Sequence, residues 1–260
     1  MKKNVFLIII TVLTVICIIG GTFHHFGVFR KDSLSLTSSI KRGFKNGGLH
    51  FNFSHLDDED EETEDFDFDD DDPKSFDSEA ISEFKELDVK MHVGGLKIER
   101  GNKWEIKSKY SRTYLKPSCT LKNGKLSISQ PDFKRSRIGN QSARIVITVP
   151  FGTKIEKLSA NIDVGAIELS GFDIGTGSID TDVGAIAVSN VNFNDLDLDS
   201  DVGAVSVELV EPIEDYDISI KSDVGGIVVD GKNVKRSYSQ KGGKDKRLRI
   251  NTDVGGIEVK

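Results

Sequence analysis

The sequence predicts an all-β domain, a parallel β-helix-like solenoid of coils about 19–22 residues long, preceded by one transmembrane helix and a disordered linker. Three observations lead there. A short string recurs with one sense along the chain, apolar residues alternate on both sides of it, and the first 76 residues cannot join a globular core.

The repeat comes first, because a fixed period decides a fold before local propensities do. The strings NIDVGAIEL, DTDVGAIAV, DSDVGAVSV, KSDVGGIVV and NTDVGGIEV place their aspartates at 163, 182, 201, 223 and 253, in steps of 19, 19, 22 and 30. A weaker relative, MHVGGLKIE, starts at Met91. Each unit reads as two short strands meeting at a corner: Asp163 and Gly165, Asp182 and Gly184, Asp201 and Gly203, Asp223 and Gly225, Asp253 and Gly255. Glycine there is free to adopt positive φ, and the aspartate two residues earlier can accept a backbone N–H in an Asx-type turn.

Alternation points Ala160, Ile162 and Val164 inward, then slips at Gly165 so that Ile167 and Leu169 also point inward. The same step carries this set onto Ile179, Thr181, Val183, Ile186 and Val188, then onto Leu198, Ser200, Val202, Val205 and Val207. Phe172 and Ile174 map onto Val191 and Phe193 as a third side. No single coil can bury such a face alone, so coils must stack. An antiparallel sandwich is the competing fold, but it needs hairpin turns rather than a corner of constant sense. The stretch from Phe84 to Lys157 reads as strands without the clean repeat (LDVKM, GLKIE, WEIKSKY, KLSIS, ARIVITVP) and is expected to begin and cap the solenoid.

The preceding residues divide by composition. Residues 1–3 form a short cytoplasmic N-terminus, and residues 4–21, with the apolar run Val5 to Ile19, are long enough to cross a bilayer. A cleaved signal peptide is the competing reading; the run exceeds the usual apolar core of such a signal and no A-x-A follows. Ile16 before Cys17 argues against lipidation. Residues 22–56 make a basic juxtamembrane linker and residues 57–76 an acidic spacer, with 13 acids among the 16 residues 57–72. The domain is then 77–260, extracytoplasmic, with the short N-terminus inside. Cys119 is the only cysteine in it, so packing rather than a disulfide must stabilise it.

Charge falls in blocks along the domain. Residues 85–157 hold 17 bases and 6 acids, residues 158–231 hold 16 acids and one base, and residues 232–260 hold 9 bases and 3 acids. Coils stacked in chain order would therefore run positive, negative, positive along the axis.

The opening ELDVKMHVGGLKIER, the strand and turn IVITVPFGTKIEKL, and the glycine-cornered repeats together resemble the "putative-adhesin" family of domains of unknown function on bacterial surface proteins, over residues 84–260. The resemblance implies a β-solenoid, placement outside the cytoplasm at the bacterial plasma membrane, and a role in adhesion or envelope stress. It carries no catalytic residues to transfer.

Three chemistries are weighed on the residues themselves. Stacked carboxylates about 4.8 Å apart repel one another, so turn hydrogen bonds, hydration or a Ca²⁺ bridging Asp182, Asp199 and Asp201 must offset them. Asp197, Asp199, Asp201 and Glu208 match four EF-hand positions, but Val202 stands where the loop requires glycine. Polysaccharide cleavage is the enzymatic alternative; no GxSxG, HExxH or metal-spaced histidine pair occurs, and His92 reads as a strand-edge residue. The basic stretch Lys235, Arg236, Lys241, Lys244, Lys246, Arg247 and Arg249 suits an anionic wall polymer or a membrane-protein partner rather than nucleic acid. The reading is thus of a membrane-anchored, non-enzymatic surface protein without a cofactor. An accessory role in envelope-stress sensing is the alternative, and the oligomeric state is not legible.

Overall fold

The computed structural model describes residues 77–132 and 143–260. The expected anchor, basic linker and acidic spacer lie outside the described residues, among which no helix is long and apolar enough to cross a membrane.

Fifteen strands join in one sheet. In chain order they are β1 (Asp77–Ala80), β2 (Glu86–Gly101), β3 (Glu105–Tyr110), β4 (Ser118–Lys122), β5 (Lys125–Ser129), β6 (Ala143–Pro150), β7 (Lys154–Ser170) and β8 (Asp173–Ser189). Then follow β9 (Asn192–Glu208), β10 (Tyr216–Val224), β11 (Ile227–Val229), β12 (Lys232–Val234), β13 (Ser237–Gln240), β14 (Lys246–Val254) and β15 (Ile257–Val259).

The long strands β2, β7, β8 and β9 are each one bent coil. Three further coils are split at the bend, into β5 with β6, β10 with β11, and β14 with β15. Neighbouring coils pair in parallel, and the 19-residue step is the register itself: Ile167 faces Ile186, which faces Val205. The inward stripe is completely buried at Ile162, Ile186, Val205, Val207 and Leu198 (0 % exposed), and Phe172, Ile174, Val191 and Phe193 close the third side. At roughly 25 cal/mol per Å² of apolar surface removed from water, this continuous column is what holds successive coils together.

Three expectations are corrected. The first concerns order: the coils do not stack as they occur in the chain. β5 and β6 lie outside β2, while β7 takes the other side of β2. At the opposite end, β14 and β15 insert between β9 and the coil of β10 and β11. The basic C-terminal coil therefore sits inside the acidic block, and charge does not run in three zones along the axis.

The second concerns the corner valines. Val183 is 40 % exposed, Val224 is 53 % exposed, and Val164 and Val202 are only half-buried. Ile162 still points inward, so the slip falls between Asp163 and Val164, turning two consecutive side chains outward.

The third concerns glycine. Only Gly94 (φ 145°) and Gly225 (φ 152°) of the corner column have positive φ. The interior corners need glycine for space: a Cβ on Gly165 would lie 1.7 Å from the carbonyl oxygen of Gly94, one on Gly184 1.6 Å from that of Gly165, and one on Gly203 1.6 Å from that of Gly184. The C-terminal coil continues the column, since a Cβ on Gly255 would lie 1.5 Å from the Gly203 oxygen.

Both ends of the stack are covered by antiparallel strands. β4 pairs with β5, β3 with β6 and β1 with β3 at one end; β13 pairs with β10 and β12 with β11 at the other. Such strands shield the flat edge of a parallel stack from pairing with another chain.

Gly184→Ala is expected to lower unfolding stability by at least about 3 kcal/mol, because the neighbouring backbone cannot yield without opening the coil spacing. Gly226→Ala, where a Cβ would meet nothing within 4 Å, should change stability by less than about 1 kcal/mol. Urea unfolding of the two variants tests this; equal losses would refute the steric role of the corner.

Candidate functional site

Outward side chains on the first half of each coil fall into columns because the register is unbroken. One column runs Lys157, Thr176, Asp195, Arg247, Asp217 and the next Ser159, Ser178, Asp197, Arg249, Ser219. A third runs Asn161, Asp180, Asp199, Asn251, Lys221. Beside it the repeat aspartates stack in the spatial order Asp163, Asp182, Asp201, Asp253, Asp223.

The inserted strand β14 supplies cations to the first two columns. Arg247 holds Asp195 through its Nε at 2.7 Å and its Nη2, and Arg249 holds Asp197 at 2.5 and 2.7 Å. These forked contacts, more than any other influence, raise both guanidinium pKa values. Behind them Lys246 Nζ bonds Glu211 at 2.7 Å, contacts Asn192 and lies 5.5 Å from the centre of the Tyr216 ring. Lys244 bridges Glu211 at 2.8 Å and Asp215 at 3.0 Å. The two lysines hold the Glu211 carboxyl below its usual range. Four of the seven basic residues expected to face an anionic partner are therefore engaged within the domain. Lys235, Arg236 and Lys241 are exposed around β12 and β13 and form no ion pair among the described residues.

The repeat aspartates are treated differently. Asp223 pairs with Lys221 at 2.8 Å, and the Lys221 charge also acts on Asp253, whereas Asp180, Asp182, Asp199 and Asp201 form no ion pair among the described residues. Burial first, then neighbouring carboxylates, push the Asp180 and Asp201 pKa values up. Asp182, Asp199 and Asp201 occupy two adjacent coils and face solvent; among the described residues no three His, Cys, Asp or Glu side chains converge closely enough to hold a metal ion. The Asx-type bonds expected at the corners are not formed by Asp182, Asp201, Asp223 or Asp253 among the described residues.

His92 departs from the simple strand-edge role expected of it. In the weaker repeat it stands where the others have aspartate, so it ends the acidic column with a base. Its Nδ1 lies 3.0 Å from Asp163 Oδ2 and its Nε2 3.1 Å from Asp132 Oδ1. Beneath it the buried Gln130 carboxamide accepts the N–H groups of His92 (2.8 Å) and Val93 (3.0 Å) and donates to the Val93 carbonyl (2.9 Å). That amide satisfies the backbone where the coil of β5 and β6 is interrupted. The alignment of MHVGG with TDVGG was a usable sign of His92; nothing local marked Gln130.

An open depression beside β3, lined by Glu99, Arg100, Lys103, Glu105, Lys107 and Thr148, contains paired charges. Lys103 sits 2.9 Å and Lys107 3.7 Å from Glu105, and Lys97 2.7 Å from Glu99.

The hydrogen bond to Asp163 raises the His92 pKa above its ordinary 6.5, burial opposes it, and Asp132 adds to the rise. A folded-state pKa raised above the unfolded one gives stability that is complete below the unfolded value and is lost as pH rises through the folded value. His92→Gln should therefore cost more stability at pH 5.5 than at pH 8.5. Thermal melts at the two pH values check this, and an equal loss at both would contradict it.

No curated protein matches the chain. Among solved structures, a putative cell adhesion protein from Clostridium sporogenes is 19 % identical with a TM-score of 0.56, the match covering 71 % of this chain and 98 % of that one. It shares the fold. A putative adhesin from Bacteroides fragilis is 14 % identical with a TM-score of 0.33, covering 72 % and 96 % of the two chains. One from Parabacteroides distasonis is 10 % identical with a TM-score of 0.29, covering 72 % and 98 %. Residues 84–260 match the profile of a family of domains of unknown function, and on that ground the chain belongs to the Toastrack DUF4097 family.

Proposed function

We propose that this protein is a non-enzymatic module of the bacterial cell envelope. In this reading it is held at the plasma membrane by residues 4–21, with the N-terminus inside, and presents the solenoid outward for adhesion to a wall polymer or to a membrane-protein partner. The observation that carries the reading is the layout of the chemistry-bearing side chains: they stand in parallel columns on an open face. Cleavage of a polysaccharide needs an acid and a base converging on one bond. Columns repeated at the coil spacing suit instead a long partner touched at many points. The fold relative from Clostridium sporogenes is named a putative cell adhesion protein, which agrees with this.

The anionic-polymer contact is assigned to Lys235, Arg236 and Lys241, since Lys244, Lys246, Arg247 and Arg249 already hold the last coils together. Changing the three to glutamate should lower retention of the full chain on purified wall polymer at least tenfold while leaving its melting temperature within a few degrees. Unchanged retention would remove the assignment.

A further inference from the structure

The corners carry a second surface, on side chains other than Lys235, Arg236 and Lys241, to which the wall-polymer contact is assigned. Register stacks Val93, Val164, Val183, Val202, Val254 and Val224 in one column. Five steps of about 4.8 Å make it about 24 Å long. All six are at least partly exposed, Val183 and Val224 most of all. Valine in a parallel stack ordinarily belongs inside. The corner geometry turns these at least partly outward and leaves apolar surface in contact with water.

Alongside this ridge runs the aspartate column, with Asp180 and Asp199 one position further out. Arg247 and Arg249 neutralise Asp195 and Asp197 on the same face. The fold thus supplies cations to one part of the carboxylate field, with Lys221 serving Asp223 and Asp253, while Asp180, Asp182, Asp199 and Asp201 beside the valines form no ion pair among the described residues. Burial first, and then the mutual repulsion of these carboxylates, raise the Asp180 and Asp201 pKa values.

The geometry points to this ridge as a docking surface for a cationic polypeptide segment that also carries apolar side chains, laid along the solenoid axis. A second copy laid on it by the same face would bring its own carboxylates and be repelled, as would an anionic polymer. A metal ion would answer the carboxylates and leave the valines wet. A basic segment with apolar side chains answers both, its ammonium or guanidinium groups reaching the aspartates while its apolar side chains cover the ridge. The surface is distinct from Lys235, Arg236 and Lys241, so either assignment can fail without the other.

The probe is a fluorescent leucine-lysine peptide of about 16 residues, long enough as an amphipathic helix to span the ridge. It is titrated against the full chain in nanodiscs of zwitterionic lipid, with empty discs as blank. Oligolysine of equal charge reports the charge term alone. Val183→Ser/Val202→Ser/Val224→Ser should weaken the leucine-lysine peptide at least tenfold and leave oligolysine binding unchanged, whereas Asp182→Asn/Asp201→Asn should weaken both. Should the triple variant unfold, Val183→Ser alone repeats the measurement with a threefold loss expected. Leucine-lysine binding unaffected by the valine changes overturns the proposal. So does binding abolished solely by neutralising the acids of residues 57–72, which would make that tract the receptor.

Discussion

At each interior corner the backbone of one glycine lies against the carbonyl of the glycine in the next coil, so close that a methyl group would overlap that oxygen. This approach sets everything else. Coils that touch backbone to backbone at a fixed point cannot slide, and a parallel register once pinned brings equivalent side chains into columns. Inside the corner that means Ile162 above Thr181, Ser200, Thr252 and Ser222. Ser222 Oγ lies 3.2 Å from the Gly255 oxygen, while the buried Thr181 and Ser200 hydroxyls find no partner among the described residues. An unmet hydroxyl costs about 1–3 kcal/mol. The small side chains fit directly under the glycines, where a Cβ on Gly203 would stand 3.0 Å from Ser200 Oγ.

Charge and topology then fit together. Had the chain stacked its coils in order, β9 would lie against β10 and place Asp195 beside Asp217 and Asp197 beside Ser219. Insertion of β14 puts Arg247 and Arg249 between them. The same device works at both ends of the domain: the coils nearest the termini of the solenoid lie second from the end, and the outermost coils carry antiparallel covering strands. No coil is therefore left as an open parallel edge, and the C-terminal strand is paired on both sides.

The coils themselves were legible in the sequence, because the period of the Asp-Val-Gly string is the parallel register, and KLSIS and ARIVITVP are β5 and β6. Coil order was not legible, since each repeat demands a neighbour without specifying which one. Two features of the sequence do bear on it. The 30-residue step leaves room for a covering hairpin, and KRLRINTDV places arginines where the preceding acidic coil has Asp195 and Asp197. Val164 and its equivalents depart from the inward direction that alternation predicts, because alternation fails at a convex bend, where two successive residues can both face water. Gln130 and Asp132 meet His92 only through tertiary contact at the interrupted coil, and no local pattern encodes that.

The columns of charge descend from this coil order, which a pair of engineered disulfides tests directly. In a background with Cys17 and Cys119 replaced by serine, Asp199→Cys/Asn251→Cys joins register neighbours, about 4.8 Å apart between Cα atoms and within disulfide reach. Asp199→Cys/Lys221→Cys joins positions two coils apart, about 9.6 Å, beyond that reach. Rapid oxidation of the first pair and none of the second is the expected result. A disulfide between 199 and 221 instead would mean that the coils stack in chain order, and would contradict the arrangement on which the columns of charge rest.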